Sequence, residues 1–449
     1  MDNNNKPNPR NLAFKVLLAV ERDGAYSAIA LNNALKENKI DKRDSAFISS
    51  LVYGVLERKL TLDYIISQYS KIPLKKIELQ TKIILRLGIF QLLFMDKVPE
   101  SAAVNESVKL AKKHKLQKSS GFINGILRSI TRAEVKYTLP DKVKDYAYYL
   151  SIKYSCPKDI VNLWLDSYGK EITESVLSSL SGRPSITARV NTLKTTPEKL
   201  IDELKAEGVE AEISPVDENA VVLNNTGSIE RLESYKNGKL YIQDLASQLC
   251  VKALSPKPRD IVIDVCSAPG GKSFTSAQYM KDKGKIFAFD IHPHKLKLIE
   301  KTAARLGISC IVTDIRDAEN DTKELPLADR VLCDVPCSGL GILSRKPEIR
   351  YKDNLLSDKL PALQYKILCN SSRYVAVGGV LIYSTCTLNP AENNENALRF
   401  LKEHTDFEPL SLDLGVKRYF SENDNMLTLF PGLNPTDGFF ISAFRRVKL

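Results

Sequence analysis

The sequence predicts a multidomain protein: an all-α N-terminal domain, a small α+β middle module, and a C-terminal α/β domain with a doubly wound, Rossmann-like sheet. Three observations lead there. The first 130 or so residues carry apolar side chains at helical spacing. From about 141 to 255, helix and strand signals alternate. Beyond 256, short β-branched runs near 261–265, 285–290, 309–313, 330–335 and 379–384 are separated by helix-length stretches, the pattern of a parallel sheet covered on both faces. A chain of 449 residues exceeds a typical single domain, and the boundaries are expected at 1–140, 141–255 and 256–449.

Residues 1 to about 10 are polar and hold two prolines, so a frayed start is expected. Leu12 to Val20, Leu51 to Leu56 and Leu62 to Ile66 read as helices. Ile83 to Phe94 is apolar on nearly every side, which predicts the central helix of a bundle. A helix from about Ala102 to Lys113 leads into a lysine cluster (Lys112, Lys113, Lys115, Lys118). The cluster lies beside an expected Asn124-Gly125 turn, which brings RNA contact level with plain solvated surface as its role.

In the middle module, Pro157 is expected to cap a helix holding Trp164, the only tryptophan. Ser185 to Asn191 alternates as a strand does. Thr196-Pro197-Glu198 opens a helix with proline in its first turn, and two short strands follow near 211–214 and 220–223.

The third part is organised around Ile261-Val262-Ile263-Asp264-Val265-Cys266-Ser267-Ala268-Pro269-Gly270-Gly271-Lys272-Ser273. A buried strand runs into a small-residue glycine turn and then a helix, Ser273 to Met280. Glycines there let backbone approach a ligand, and the helix N-terminus offers free N–H groups. A second strand ends in Asp290, where an acid can accept both hydroxyls of a ribose. A third ends in Asp314, and a fourth enters Asp334-Val335-Pro336-Cys337-Ser338-Gly339. A fifth enters Tyr383-Ser384-Thr385-Cys386-Thr387. In a doubly wound sheet these strand ends converge on one crevice. Thr436 to Phe444 reads as a hairpin strand closing the sheet.

Composition narrows the function. The formal charge of +11 favours a polyanionic partner, nucleic acid first. No apolar run approaches membrane-span length, and Met1 to Asn5 is no signal peptide. The eight cysteines include no CxxC pair, so neither a disulfide framework nor a zinc site is indicated, and a reduced, cytoplasmic setting fits. His292 and His294 lack a third-ligand pattern, so no metal is expected. Cys250, Cys310, Cys333 and Cys369 read as small core residues. Cys337 and Cys386 differ, because each follows its strand into the crevice.

The glycine turn resembles the Asp-x-Cys-Ala-Ala-Pro-Gly-Gly-Lys-Thr motif of RNA cytosine-5 methyltransferases, with Ser267 and Ser273 as departures. Asp334-Val335-Pro336-Cys337 and Thr385-Cys386 resemble that family's two cysteine motifs. The stretches Val98 to Val108 and Phe122 to Arg128 resemble the NusB family of helical RNA-binding domains. A NusB-like domain joined to this class I methyltransferase domain is the arrangement of the RsmB (Sun/Fmu) family. That resemblance implies methyl transfer from S-adenosyl-L-methionine to carbon 5 of a cytosine in small-subunit rRNA, at position 967, on naked RNA or assembling particles, by a monomer.

It also implies roles. Cys386 would be the nucleophile and Cys337 would assist product release, with Asp334 near the ring nitrogen N3. Cys266, Ser267, Ala268, Pro269, Gly270, Gly271 and Lys272 would surround the methionine part of the cofactor. Asp290 would hold the ribose, Asp314 the adenine amino group, and Asp334 the methionine side. The chemistry explains the thiol. Carbon 5 of cytosine is a weak nucleophile, and a thiolate adding to carbon 6 makes it enamine-like.

DNA cytosine-5 enzymes attack with the Pro-Cys cysteine, so a swap of the two roles is the internal rival. Adenine-amino enzymes carry Asp-Pro-Pro-Tyr at the fourth strand, which this chain lacks. Within the class, the alternative is the same reaction at another rRNA or tRNA site; a non-catalytic RNA-binding assembly factor is the rival from another class, and Cys337, Cys386 and Asp334 argue against it. Arg189 to Lys194 resembles an RNA-facing strand, and Gln243 to Gln248 a cofactor-side segment. The basic loop Ser344 to Arg350 is expected to touch RNA. Glu392 and Glu395 are expected to complement a helix dipole.

Overall fold

The computed structural model describes residues 8–38, 40–182, 184–320 and 324–448. Most of the expected frayed start, residues 1–7, lies outside them. Residues 8–10 are ordered: Asn8 accepts the backbone N–H groups of Arg10 and Asn11 and so caps the first helix. The chain divides into two compact units, Met1–Gly182 with Leu343–Asp353, and Arg183–Ile342 with Asn354–Leu449.

The first unit is helical: α1 (Pro9–Asp23), α2 (Ser27–Glu37), α3 (Lys42–Glu57), α4 (Lys59–Tyr69), α5 (Leu79–Phe94), α6 (Glu100–Lys113), α7 (Gln117–Arg132), α8 (Tyr146–Tyr154) and α9 (Lys158–Ser178). Every residue of α5 from Ile83 to Gln91 is buried, which is why its sequence is apolar around the whole helix. Arg86 survives there because Asp63 (2.6 Å) and Glu21 (2.6 Å) pair with its guanidinium. Gly54 lets α3 approach α5, since a Cβ would sit 2.0 Å from the Phe90 ring. Pro157 precedes α9 as expected, with Trp164 buried.

Two expectations fail in this unit. The Asn124-Gly125 turn does not exist; α7 runs through it. Ile123, Ile126, Leu127 and Ile130 form one buried face, and the Asn124 side chain accepts from Arg128 one turn later. The basic loop is a buried strap rather than an open RNA-contacting loop. Arg350 is buried and donates to the carbonyls of Ser155 (3.1 Å) and Leu343 (3.0 Å). Glu348 accepts from the backbone N–H (3.2 Å) and hydroxyl (2.9 Å) of Ser27. Lys346 alone of the segment's charged residues is exposed.

The second unit opens with an antiparallel sheet of β1 (Ile186–Val190), β2 (Glu210–Ile213), β3 (Ala220–Asn224) and β4 (Leu240–Ile242), in the order β2-β3-β1-β4, with α10 (Pro197–Ala206) and α11 (Glu233–Lys236). Arg189 on β1 does not face RNA. It is buried among Asp217, Gln278 and Gln248, and its charge is satisfied inside the fold. Asp244 caps α12 (Leu245–Leu254).

The large sheet contains β5 (Ile261–Asp264), β6 (Lys285–Asp290), β7 (Ile311–Ile315), β8 (Ala328–Asp334), β9 (Val375–Thr385), β10 (Phe407–Pro409), β11 (Met426–Leu429) and β12 (Phe439–Arg446). Its order is β10-β12-β9-β8-β5-β6-β7, with β11 also pairing β12. Strands β5 to β9 are mutually parallel, and β12 runs antiparallel to β9. The expected C-terminal strand therefore lies within the sheet, covered by β10 and β11, rather than closing it. Helices α13 (Gly271–Tyr279), α14 (Pro293–Leu306), α15 (Lys359–Ser372) and α16 (Asn394–Glu403) connect the strands. Chain order reverses between β5 and β8, which opens a crevice at their C-terminal ends. Cys250, Cys310 and Cys333 are buried, as their sequence setting suggested; Cys369 is half-buried and lies 3.3 Å from the His404 ring nitrogen. No helix among the described residues is long and apolar enough to cross a membrane.

Candidate active site

The crevice is built from the turn after β5 outward. The backbone N–H and hydroxyl of Ser267 donate to the Phe289 carbonyl (2.7 and 2.9 Å), tying the turn to β6. The Gly270 N–H then donates to the Ser267 carbonyl (2.7 Å). Gly270 has φ +102°, and a Cβ there would lie 2.5 Å from the Phe274 ring. Only glycine fits both demands. Gly271 starts α13 beneath Gln243.

This turn, with Gln243, Asp244, Ser247, Asp264 and Asp334, lines a cavity of about 190 Å³. Two buried polar atoms on its walls have no partner: the Gln243 side-chain nitrogen and one Asp264 oxygen. The other Asp264 oxygen accepts from Ser273 (2.7 Å). Burial pushes the Asp264 carboxyl up to about 7. Buried polar groups are normally satisfied, so an open donor and an open acceptor facing one cavity suit a ligand carrying both kinds of group. Gln243 was legible only as part of a six-residue segment. Its orientation is fixed by Thr275, whose hydroxyl donates to it (2.7 Å) and is itself paired with Tyr241 (2.7 Å).

The remaining acids take their expected strand ends. Asp290 is buried at the end of β6 and accepts from the His292 backbone N–H (2.9 Å). Asp314, on β7, is largely exposed and pairs with Arg316 (3.2 Å). Asp334 ends β8, where Lys272 reaches one oxygen (2.6 Å) and the Ser384 hydroxyl the other (2.7 Å). Burial opposes the charge on Lys272, but the Asp334 carboxylate outweighs it and raises the ammonium above its usual range. Both oxygens of Asp334 are thus occupied as acceptors.

The two cysteines meet. Cys337 Sγ lies 3.1 Å from Cys386 Sγ. The loops after β8 and β9 bring them together because those strands are parallel neighbours. Hydrogen bonding to Cys386, then burial, raises the Cys337 thiol well above its usual range. Cys386 is further fixed by the Gly341 N–H donating to its carbonyl (3.0 Å), and the Gly438 N–H donates to the Gly341 carbonyl (2.9 Å). Glu392 is not a dipole partner. It is fully buried behind Cys337, whereas Glu395 is exposed in the first turn of α16. His292 and His294 are exposed.

A parallel sheet with a glycine turn, acids at successive strand ends and paired thiols defines an S-adenosyl-L-methionine-dependent RNA methyltransferase. Comparisons with known proteins agree. The family model for 16S rRNA methyltransferase RsmB/F matches residues 251–445, the NusB family model residues 7–132, and a RsmF/B-like ferredoxin-like domain model residues 156–230. A Bacillus subtilis protein named probable ribosomal RNA small subunit methyltransferase B is 37% identical over 98% of this chain and 99% of its own. The crystal structure of PH0851 superposes with a TM-score of 0.82 at 24% identity, covering 98% of this chain and 99% of that one. The structure of NSun6 from Pyrococcus horikoshii with SFG gives 0.59 at 23% identity, covering 65% and 99%. The chain belongs to the RsmB/F family of S-adenosyl-L-methionine-dependent RNA cytosine-5 methyltransferases. Helices α1–α7 of its helical unit accordingly form a NusB-type domain, and its small antiparallel sheet belongs to the ferredoxin-like module.

Proposed function

We propose that this protein methylates carbon 5 of a cytosine in small-subunit rRNA, position 967 of the 16S molecule, through a covalent bond between Cys386 and carbon 6. It would act as a cytoplasmic monomer on naked RNA or assembling particles. In the division of labour we envisage, residues 1–140 engage RNA, 141–255 form the small module that precedes the catalytic domain, and 256–449 carry the chemistry. The observation that carries the reading is the 3.1 Å approach of Cys337 and Cys386 beside the Lys272–Asp334 pair.

The cofactor supplies an electrophilic sulfonium methyl group. Residues Cys266 to Lys272 would hold its methionine part with Asp334, Asp290 its ribose and Asp314 its adenine amino group. The unpaired Gln243 nitrogen and Asp264 oxygen suit an amino-acid end carrying both charges.

Cys386 adds to carbon 6. The 3.1 Å contact lets one sulfur donate to the other and stabilise a thiolate there, and the likeness of Thr385-Cys386 to the family's nucleophile motif is what gives that place to Cys386 over the swapped assignment. Negative charge then develops toward N3, and the Lys272 ammonium, held by Asp334, is the donor that can meet it. Once Cys386 is bonded to carbon, it no longer accepts from Cys337; the Cys337 proton passes to solvent water as the one net proton of the reaction, and the thiolate left behind serves as the base. Release moves the carbon-5 proton to Cys337, re-forms the carbon 5–carbon 6 double bond and expels Cys386 as thiolate. The exposed Lys112, Lys113, Lys115 and Lys118 are candidates for RNA contact.

The test is a trap. Small-subunit rRNA carrying 5-fluorocytosine is incubated with protein and cofactor, then run under denaturing conditions. An adduct with wild type and Cys337→Ala, absent with Cys386→Ala, is the expected result. Loss only with Cys337→Ala reverses the roles. No adduct with any form, on RNA or on particles, favours the binding-factor reading.

A further inference from the structure

We infer that Glu392 is a positioning residue that holds Cys337 in place for product release; this rests on the covalent mechanism proposed above. Glu392 is fully buried. One of its oxygens accepts from the Ser338 hydroxyl (2.5 Å) and the Asn389 amide (3.0 Å). The other accepts from the Ser338 backbone N–H (2.9 Å) and the Gln364 amide (2.8 Å). Four donors from three segments meet on one carboxylate, two of them from the residue directly after Cys337. Gln364 also donates to the Pro336 carbonyl (2.9 Å), directly before Cys337. The turn that carries this thiol is gripped on both sides.

The neighbouring residue does the same for the other sulfur. Asn393 accepts from the Thr385 hydroxyl (2.6 Å) and donates to the Thr387 carbonyl (3.0 Å), bracketing Cys386. The Ser338 and Thr387 hydroxyls are themselves paired (2.7 Å). Residues 389–393 thus set the spacing of the two sulfurs. A buried carboxylate is costly unless amply hydrogen-bonded, and a neutral amide could not accept from all four donors. A carboxylate here buys a fixed turn that a neutral side chain would leave loose. Glu392 touches no reacting atom, so its effect falls on the step that needs Cys337. In that step the Cys337 thiolate takes the carbon-5 proton, the C–H electron pair re-forms the ring double bond, and the bond from Cys386 to carbon 6 breaks.

The experiment follows single turnover on unmodified small-subunit rRNA with S-adenosyl-L-methionine, comparing wild type, Cys337→Ala, Glu392→Gln and Ser338→Ala. Cofactor Kd and thermal midpoint are measured on each. Expected for Glu392→Gln is cofactor Kd within about 2-fold of wild type, adduct formed at a near-normal rate, and release slowed on the order of 100-fold. Methylated, covalently bound RNA then accumulates, as with Cys337→Ala. Ser338→Ala should slow release by roughly 10-fold, and it decides the matter alone if Glu392→Gln does not fold. A folded Glu392→Gln that releases product normally overturns the inference. So does one that loses cofactor binding and adduct formation together, which marks a merely structural residue. If Cys337→Ala itself accumulates no adduct, the covalent reading has failed rather than the positioning role.

Discussion

Asp264 shows how burial alone can set chemistry. It ends β5 with one oxygen bonded to Ser273 and the other unpaired, and its carboxyl titrates near 7 instead of near 4. Between those values the folded protein keeps a proton that the unfolded chain has released. The contribution of Asp264 to stability therefore falls as pH rises from about 4 to about 7, by up to roughly 1.4 kcal/mol per pH unit, and levels off above. Asp264→Asn, neutral throughout, should flatten that dependence. Urea midpoints of the cofactor-free protein at several pH values check it, and parallel curves for the two proteins would refute it. At this scale the sequence was only partly readable. Cys337, Cys386, Asp290 and Asp334 could be placed because each ends or closely follows a recognisable strand. Arg189 and Glu392 were misread because a charge in a sequence carries no sign of its partners. Those of Arg189 lie as far as Gln278, and those of Glu392 reach back to Ser338 and Gln364.

Elements were legible where periodicity was strong and local. The five parallel strands and the turn before α13 fall where buried β-branched runs and glycines put them. Strands β10 and β11 span three and four residues, too short for alternation to register, and their pairing with β12 is a tertiary fact. The Leu343–Asp353 strap was misread for a related reason. Its charges suggested solvent, yet Arg350 is buried and spends its donors on main-chain carbonyls. Arg350→Ala should leave the Leu343 carbonyl without its donor and the Ser155 carbonyl with only the Tyr351 hydroxyl, destabilising the helical unit by about 1–3 kcal/mol. Lys346→Ala, at an exposed position, should change stability by no more than about 0.5 kcal/mol. Chemical denaturation of the full chain distinguishes them. An unchanged midpoint for Arg350→Ala together with weakened RNA binding would restore the loop to an RNA-contacting role.

At the scale of the whole molecule, the 65 basic and 54 acidic residues have to be apportioned, because some of the cations do not face solvent. Arg86, Arg189 and Arg350 are buried and neutralised or hydrogen-bonded within the fold, and Lys272 is committed to Asp334. Any attraction for a polyanion must come from the exposed remainder, of which Lys112, Lys113, Lys115 and Lys118 lie together at the junction of α6 and α7. If those lysines meet phosphates, each contact releases counterions, and affinity falls with salt by about 0.7–0.9 log units per log unit of salt for each phosphate neutralised. Replacing all four with alanine should then weaken rRNA binding and reduce the slope of log Kd against log salt by up to roughly 3. Cofactor affinity should not change, since none of the four lines the cavity beside Asp264. Filter binding at four or more salt concentrations gives the slope directly. Weakened binding with an unchanged slope would mean that the substitutions act through the fold of the helical unit, and an unchanged affinity would move the RNA surface elsewhere on the chain.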